Sequence, residues 1–173
     1  MVEVKVASLG IDSSTQSPIV ILKEKGGKRY LPIWIGHNEA SAIATELAGV
    51  KFSRPLSHDL MKSLVKGLKG TCSQVVINSL KDNTYFAQVF LKSGEDLISI
   101  DARPSDSIAL ALRLKAPIFA SETLMNEVAK VDDDGELEEA EEETPAEPYD
   151  PQKLKDHLRN MNPEDFGKFT LGD

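Results

Sequence analysis

Residues 89–112 read VFLKSGEDLISIDARPSDSIALAL, and they carry the pattern from which the fold follows. Val89-Phe90-Leu91-Lys92 and Ile98-Ser99-Ile100 are β-rich runs separated by a turn at Ser93-Gly94, which predicts a hairpin. From Ser105 to Leu114 the period changes. Small and apolar residues recur at helical spacing and stop before Pro117, as a helix on an apolar base requires. The first half repeats this order. Val20-Ile21-Leu22-Lys23, the turn Gly26-Gly27 and Ile33-Trp34-Ile35 precede a helix from Ala40 to Leu47 that ends near Gly49. Upstream, Lys5-Val6-Ala7-Ser8-Leu9 aligns with Val76-Ile77-Asn78-Ser79-Leu80. The offset drifts from 71 to 69 to 65 along the chain, and the shared order carries the match rather than identity. The expectation is an α+β domain over residues 1–130. Its mixed or antiparallel sheets come from a duplicated β-hairpin-plus-helix unit, with halves at about 1–70 and 71–130.

Outside that repeat, Leu60, Met61, Leu64, Val65 and Leu68 predict a helix from His58 to Leu68 with a broad buried stripe. Ser57 is its expected N-cap and Gly70 its stop. Ile118-Phe119-Ala120 reads as a strand and Glu122 to Ala129 as a short helix. A different composition begins at residue 131. VDDDGELEEAEEETPAEPYD has few large apolar residues and many carboxylates, so it cannot offset the entropy of ordering it. Residues 131–149 are expected to form a disordered acidic linker. In residues 150–173, Asp150-Pro151 opens a short C-terminal helix with Leu154, Leu158 and Met161 on one stripe, followed by Phe166 and Phe169. Such a helix is marginal alone and is expected to dock on a protein partner.

Charge divides the same way. Residues 1–130 hold 16 Lys+Arg and 13 Asp+Glu, a balance of +3, while residues 131–173 hold 4 and 15, a balance of -11. The overall -8 argues against nucleic-acid binding by bulk charge but leaves an anionic partner open to the domain. Cys72 is the single cysteine. It permits no intrachain disulfide or Cys-based zinc site and reads as a buried small hydrophobe. No basic region followed by an apolar stretch opens the chain, and no run approaches the roughly 18 apolar residues of a membrane span. The expected location is the cytoplasm, away from membranes.

Three polar clusters sit at strand ends or helix starts: Gly36-His37-Asn38-Glu39, Arg54-Pro55-Leu56-Ser57-His58-Asp59, and Asp101-Ala102-Arg103-Pro104-Ser105-Asp106. Arg54 and Arg103 offer planar forks to phosphate oxygens. Glu39, Asp59 and Asp106 are hard oxygen ligands for Mg²⁺ or Mn²⁺. His58, Asp59, Asp101 and Asp106 are the candidate catalytic groups, with His58 as proton shuttle. A plainer account stands beside this one. Ser57 and Ser105 are ordinary N-caps, Asp59 and Asp106 favour helix dipoles, and the arginines pair with Asp59, Asp101 or Asp106 in a structural network. No GxGxxG, P-loop, HExxH, GxSxG or paired CxxC motif is present.

The strings Leu31-Pro32-Ile33-Trp34-Ile35-Gly36 through Glu39-Ala40, Arg54-Pro55-Leu56-Ser57-His58-Asp59-Leu60, and Asp101 through Leu110 together resemble the bifunctional nuclease domain family. The likeness covers residues 1–130. Ser57 stands where members often carry Thr, keeping the hydroxyl. Asn162-Pro163-Glu164-Asp165-Phe166-Gly167-Lys168-Phe169 is similar to the C-terminal extension of bacterial members. The resemblance implies a self-associating α+β domain and nuclease activity on DNA and RNA, an activity attached chiefly to plant members. Two readings follow. One is a phosphodiester hydrolase assisted by a divalent ion. The other is a noncatalytic oligomeric interaction module in which Arg and Asp form interface ion pairs.

Overall fold

A computed structural model describes residues 1–131, which lie in the first of two units of the chain, Met1–Glu139. The expected C-terminal helix and nearly all of the expected linker lie outside the described residues. The elements in chain order are β1 (Val2–Ile11), β2 (Pro18–Glu24), β3 (Arg29–Trp34), α1 (His37–Leu47), α2 (Ser57–Gly67), β4 (Thr71–Lys81), β5 (Thr84–Ser93), β6 (Asp96–Ala102), α3 (Pro104–Leu114), β7 (Ile118–Ala120), α4 (Glu122–Val128) and β8 (Lys130–Val131). The fold is α+β. Among the described residues one mixed sheet holds eight strands in the order β6-β5-β4-β7-β1-β2-β3-β8.

Two antiparallel three-stranded ribbons, β1-β2-β3 and β4-β5-β6, lie side by side, each followed by a helix. β7 joins them, pairing antiparallel with β1 (Val4 opposite Ile118) and parallel with β4 (Val75 opposite Ile118). β1 and β4 each break register at the residues that the offset of 71 aligns, Ala7 and Asn78. The core is continuous across the seam. Val4, Val20, Leu22, Leu31 and Ile33 from one ribbon cluster with Val75, Ile77, Ala87 and Val89 from the other, under Ile108, Ala109 and Ala111 of α3. α3 packs on α1, α2, β4 and β5, and eight of its eleven residues are buried. Three of those eight, Ser105, Ser107 and Arg113, are polar, and the rest are apolar.

Local chemistry sets the connections. The β4–β5 loop has only Asp82 and Asn83, both at positive φ (46° and 58°), the geometry of a tight hairpin for which Asn and Asp are suited. Lacking glycine, it escapes a search for Gly turns. Lys115 (φ 55°) and Lys69 (φ 58°) close α3 and α2 in the left-handed region. Gly70, the expected stop, donates its N–H to Val65 O at 2.8 Å in closing the helix.

Two expectations need correction. Ser57 and Ser105 are not N-caps: those positions belong to Leu56 and Arg103, with Pro104 in the first turn of α3. The apolar stripe of α2 is also not buried. Leu60, Met61, Leu64 and Leu68 are exposed, and α2 turns His58, Asp59, Lys62 and Val65 toward the fold. Contacts of His58 and Asp59 with α3, described below, hold that orientation. Cys72 is half-buried and burial pushes its thiol up. No described helix is long and apolar enough to cross a membrane.

Because β7 is the seam, removing its buried side chain opens a cavity between the ribbons. Ile118→Ala is expected to lower unfolding free energy by about 2–5 kcal/mol. Urea unfolding of residues 1–131 and of the full chain should give the same loss.

Candidate functional site

Each of the first three helices carries a carboxylate at its third residue: Glu39 in α1, Asp59 in α2 and Asp106 in α3. Carboxylates in a first turn are favoured by the helix dipole, yet these three make different contacts. Asp59 caps its own helix, accepting the Leu56 N–H at 3.0 Å through Oδ2. Its other oxygen accepts from Arg113 Nε at 2.8 Å. Glu39 and Asp106 instead reach sideways to one cation. Arg103 pairs through Nη1 with Glu39 Oε1 at 2.9 Å and donates through Nε to Asp106 Oδ2 at 2.7 Å. Asp106 Oδ1 lies 3.1 Å from Nε2 of His58. The result is one chain of contacts, Glu39–Arg103–Asp106–His58, joining the starts of α1, α3 and α2.

Backbone details permit this. Gly36 is the extended N-cap of α1, and a Cβ there would displace the Glu39 carboxylate. Pro104 fixes the entry to α3, which places Arg103 outside the helix at its mouth. Burial grades the chain. The side chains of His58, Glu39 and Asp106 are 11%, 20% and 26% exposed, whereas that of Arg103 is 66% exposed. Arg103 is therefore largely open to solvent, and its Nη2 has no partner among the described residues. Burial raises the Asp106 pKa, but hydrogen bonds from Arg103 and His58 outweigh it and hold the carboxyl below its ordinary value. Arg103 is raised in turn, by Asp106 first and then Glu39. An open cleft of about 360 Å³ runs past this cation, walled by Trp34, Ile35, Tyr85, Thr84 and Pro104.

The structure thus gathers Glu39, His58, Arg103 and Asp106 and leaves three other candidates elsewhere. Asp59 faces Arg113. Arg54 is exposed in the loop before α2, with no ion pair among the described residues. Asp101 is exposed on β6, opposite Gln88. As a ligand set for Mg²⁺ or Mn²⁺, Glu39, Asp59 and Asp106 do not fit. Two of them share Arg103, the third is committed to Arg113, and no group of three or more His, Cys, Asp or Glu among the described residues is arranged to hold a metal.

Arg113 escaped the sequence reading. Its side chain is 2% exposed and donates through Nη1 to the carbonyls of Ala42 and Ala109, each at 3.0 Å. The available signal was an arginine within the apolar run Ile108 to Leu114. A cation on a buried helix face demands a carboxylate partner.

Comparison with known proteins adds the following. The bifunctional nuclease domain family matches residues 20–133. An uncharacterized protein of Mycobacterium tuberculosis, Rv1829, is 37% identical over 166 residues, covering 96% of this chain and 98% of its own length. Bifunctional nuclease 2 of Arabidopsis thaliana is 31% identical over 134 residues, covering 75% of this chain and 40% of its own. Bifunctional nuclease 1 of Oryza sativa subsp. indica is 29% identical over 110 residues, covering 62% and 33%. The chain therefore spans well under half the length of these plant relatives.

The hydrogen bond from Arg113, above all, holds the Asp59 pKa below its ordinary 3.8. The unfolded chain thus takes up the Asp59 proton at higher pH than the folded one. The stability this pair adds is complete above pH 3.8 and drains away as pH falls through the lower folded value. Asp59→Asn should be less stable than the parent at neutral pH and converge toward it in acid. A gap that persists unchanged at pH 2–3 would contradict the assignment.

Proposed function

The chain belongs to the bifunctional nuclease domain family, and from that membership we propose that it hydrolyses phosphodiester bonds of DNA or RNA at the Glu39–Arg103–Asp106–His58 chain. The observation that carries the reading is Arg103, a largely exposed guanidinium held by two carboxylates, whose Nη2 has no partner among the described residues. Arginine binds phosphate oxygens by paired, charge-assisted hydrogen bonds, and a fixed donor stabilises negative charge as it develops on phosphorus. Glu39, paired with Nη1 of the same arginine, takes a proton from an attacking water in this reading. Asp106, kept ionised, sets the angle of Arg103. His58, largely buried, anchors Asp106 rather than meeting substrate directly. Asp59 and Arg113 serve the fold in this reading.

Arg103→Ala and Glu39→Gln should each lower cleavage of DNA and RNA by about 100-fold or more. Arg103→Lys should restore part of the loss, because it keeps the charge but not the fork. Arg54→Ala and Asp101→Asn should change rates little. The assay uses rigorously purified full-length protein, so that contaminating activity would show as cleavage surviving in both Arg103→Ala and Glu39→Gln. The same assay tests the expected divalent cofactor: rates are compared after exhaustive chelation and after adding back Mg²⁺ or Mn²⁺.

A second reading, the noncatalytic oligomeric module, is favoured by one observation. Leu56, Leu60, Met61, Leu64 and Leu68 are all exposed along α2, with Leu47 and Phe52 exposed in the neighbouring segments. Contiguous exposed apolar surface of this kind marks interaction sites. In that reading the chain self-associates through α2. Leu60→Lys with Leu64→Lys should then lower the mass seen by sedimentation without loss of folding, whereas a parent that already sediments as a monomer would dismiss it.

A further inference from the structure

The cleft beside Arg103 has an aromatic wall that the proposed chemistry does not use. Trp34 ends β3 and is 49% exposed. Half-exposed indoles are common, but this one is held. Its Nε1 donates to Asp12 Oδ2 at 3.0 Å. The other oxygen of Asp12 accepts the N–H groups of Ser14 and Thr15 at 2.8 and 2.9 Å. These bonds, with that from the Ser14 hydroxyl contributing most, hold the Asp12 carboxyl well below the usual carboxylate range. Asp12 is therefore an anion at neutral pH, and the ring it orients stays put. The same cleft is lined by Asn83 and Thr84 at the tip of the β4–β5 hairpin and by Tyr85. Tyr85 is fixed by its hydroxyl, which donates to Pro32 O at 3.1 Å.

An oriented flat ring, amide and hydroxyl groups, and a guanidinium, all lining one cleft, match three parts of one ligand. An aromatic platform takes the face of a base with little regard to its identity. Asn83 and Thr84 can meet a base edge. Arg103 takes the phosphate. The volume, about 360 Å³, falls within the ~300–1,000 Å³ range of small-ligand clefts. A base within a duplex has both faces covered and cannot stack there.

We propose that this cleft binds one unpaired nucleobase stacked on Trp34, with the adjoining phosphate on Arg103. It rests on the nuclease reading for the role of the phosphate, but it assigns a separate residue and a separate observable.

Trp34 is the single tryptophan of the chain, so intrinsic fluorescence reports on this ring alone. The full-length protein is titrated with a cleavage-resistant phosphorothioate oligothymidylate at low salt. A parallel oligomer carries abasic sugars at every position. Anisotropy of end-labelled oligomers gives binding independently. Saturable quenching by the base-bearing oligomer, with little from the abasic one, is the expected result. Trp34→Ala should weaken binding of the base-bearing oligomer roughly tenfold and leave abasic binding as it was. Trp34→Phe should recover much of the loss, and circular dichroism checks that both variants fold. Anisotropy that shows binding while Trp34 fluorescence stays constant overturns the proposal, as does unaltered affinity in Trp34→Ala. In that case cleavage lost in Arg103→Ala still upholds the nuclease reading. Quenching without any cleavage upholds the base site and removes the nuclease reading. No binding of either oligomer overturns the base site, and the cleavage assay alone then decides the nuclease reading.

Discussion

Two consecutive side chains of α2 fasten it across α3, and the candidate site depends on that crossing. His58 reaches Asp106 and Asp59 reaches Arg113. Asp106 and Arg113 are seven residues apart, two turns of one helix face. The first turn of α2 is thus held at two points roughly 10 Å apart along α3. The inner point is the costly one, because Arg113 is a nearly dehydrated cation. Losing Asp59 would leave it only the more distant carboxylate of Glu46, 3.8 Å from Nε, an unfavourable state for a buried cation. The same guanidinium donates to Ala42 O and so gathers α1. Once the three helices are locked, their starts meet, and Glu39, Arg103, Asp106 and His58 come together without further adjustment.

This crossing also explains what the sequence revealed and what it hid. α3, β7 and the end of α1 were legible because apolar period, Gly49 and Pro117 agree on their limits, whereas α1 starts at His37, three residues before the expected Ala40. Family likeness was legible in the strings that hold the three helix starts. The orientation of α2 was not. Its apolar residues form a clean stripe, and a stripe normally marks the inward face. Here the inward face is polar and is chosen by partners 48 and 54 residues away. Asp59 and Asp106 pose the same problem in miniature. They occupy equivalent helical positions, and local sequence distinguishes neither their partners nor their tasks. A metal-ligand trio was a fair expectation from residue type, but each carboxylate's direction is a tertiary property.

The outer face of α2 and the far strand of the sheet are less finished than the core. Leu97, Ile98 and Ile100 of β6 are exposed, and the outer edge of β6 has no strand partner among the described residues. Edge strands of this kind invite pairing unless they are covered or charged. The apolar side of α2 and the open edge of β6 arise from the same economy: α3 takes most of the helical burial, and the elements flanking it keep apolar surface. The +3 balance of residues 1–130 leaves such surfaces without strong like-charge protection.

β7 has a temporal meaning as well as a structural one. β1-β2-β3 and β4-β5-β6 are built from neighbours in sequence, so each ribbon can form by short loop closures as soon as its residues are available. The strand between them comes from residues 118–120, more than a hundred residues after its partner Val2–Val4. Joining the ribbons therefore carries the longest loop-closure cost in the sheet. On a ribosome, both ribbons could be complete while the sheet was still in two parts, and the emergence of three residues would turn them into one.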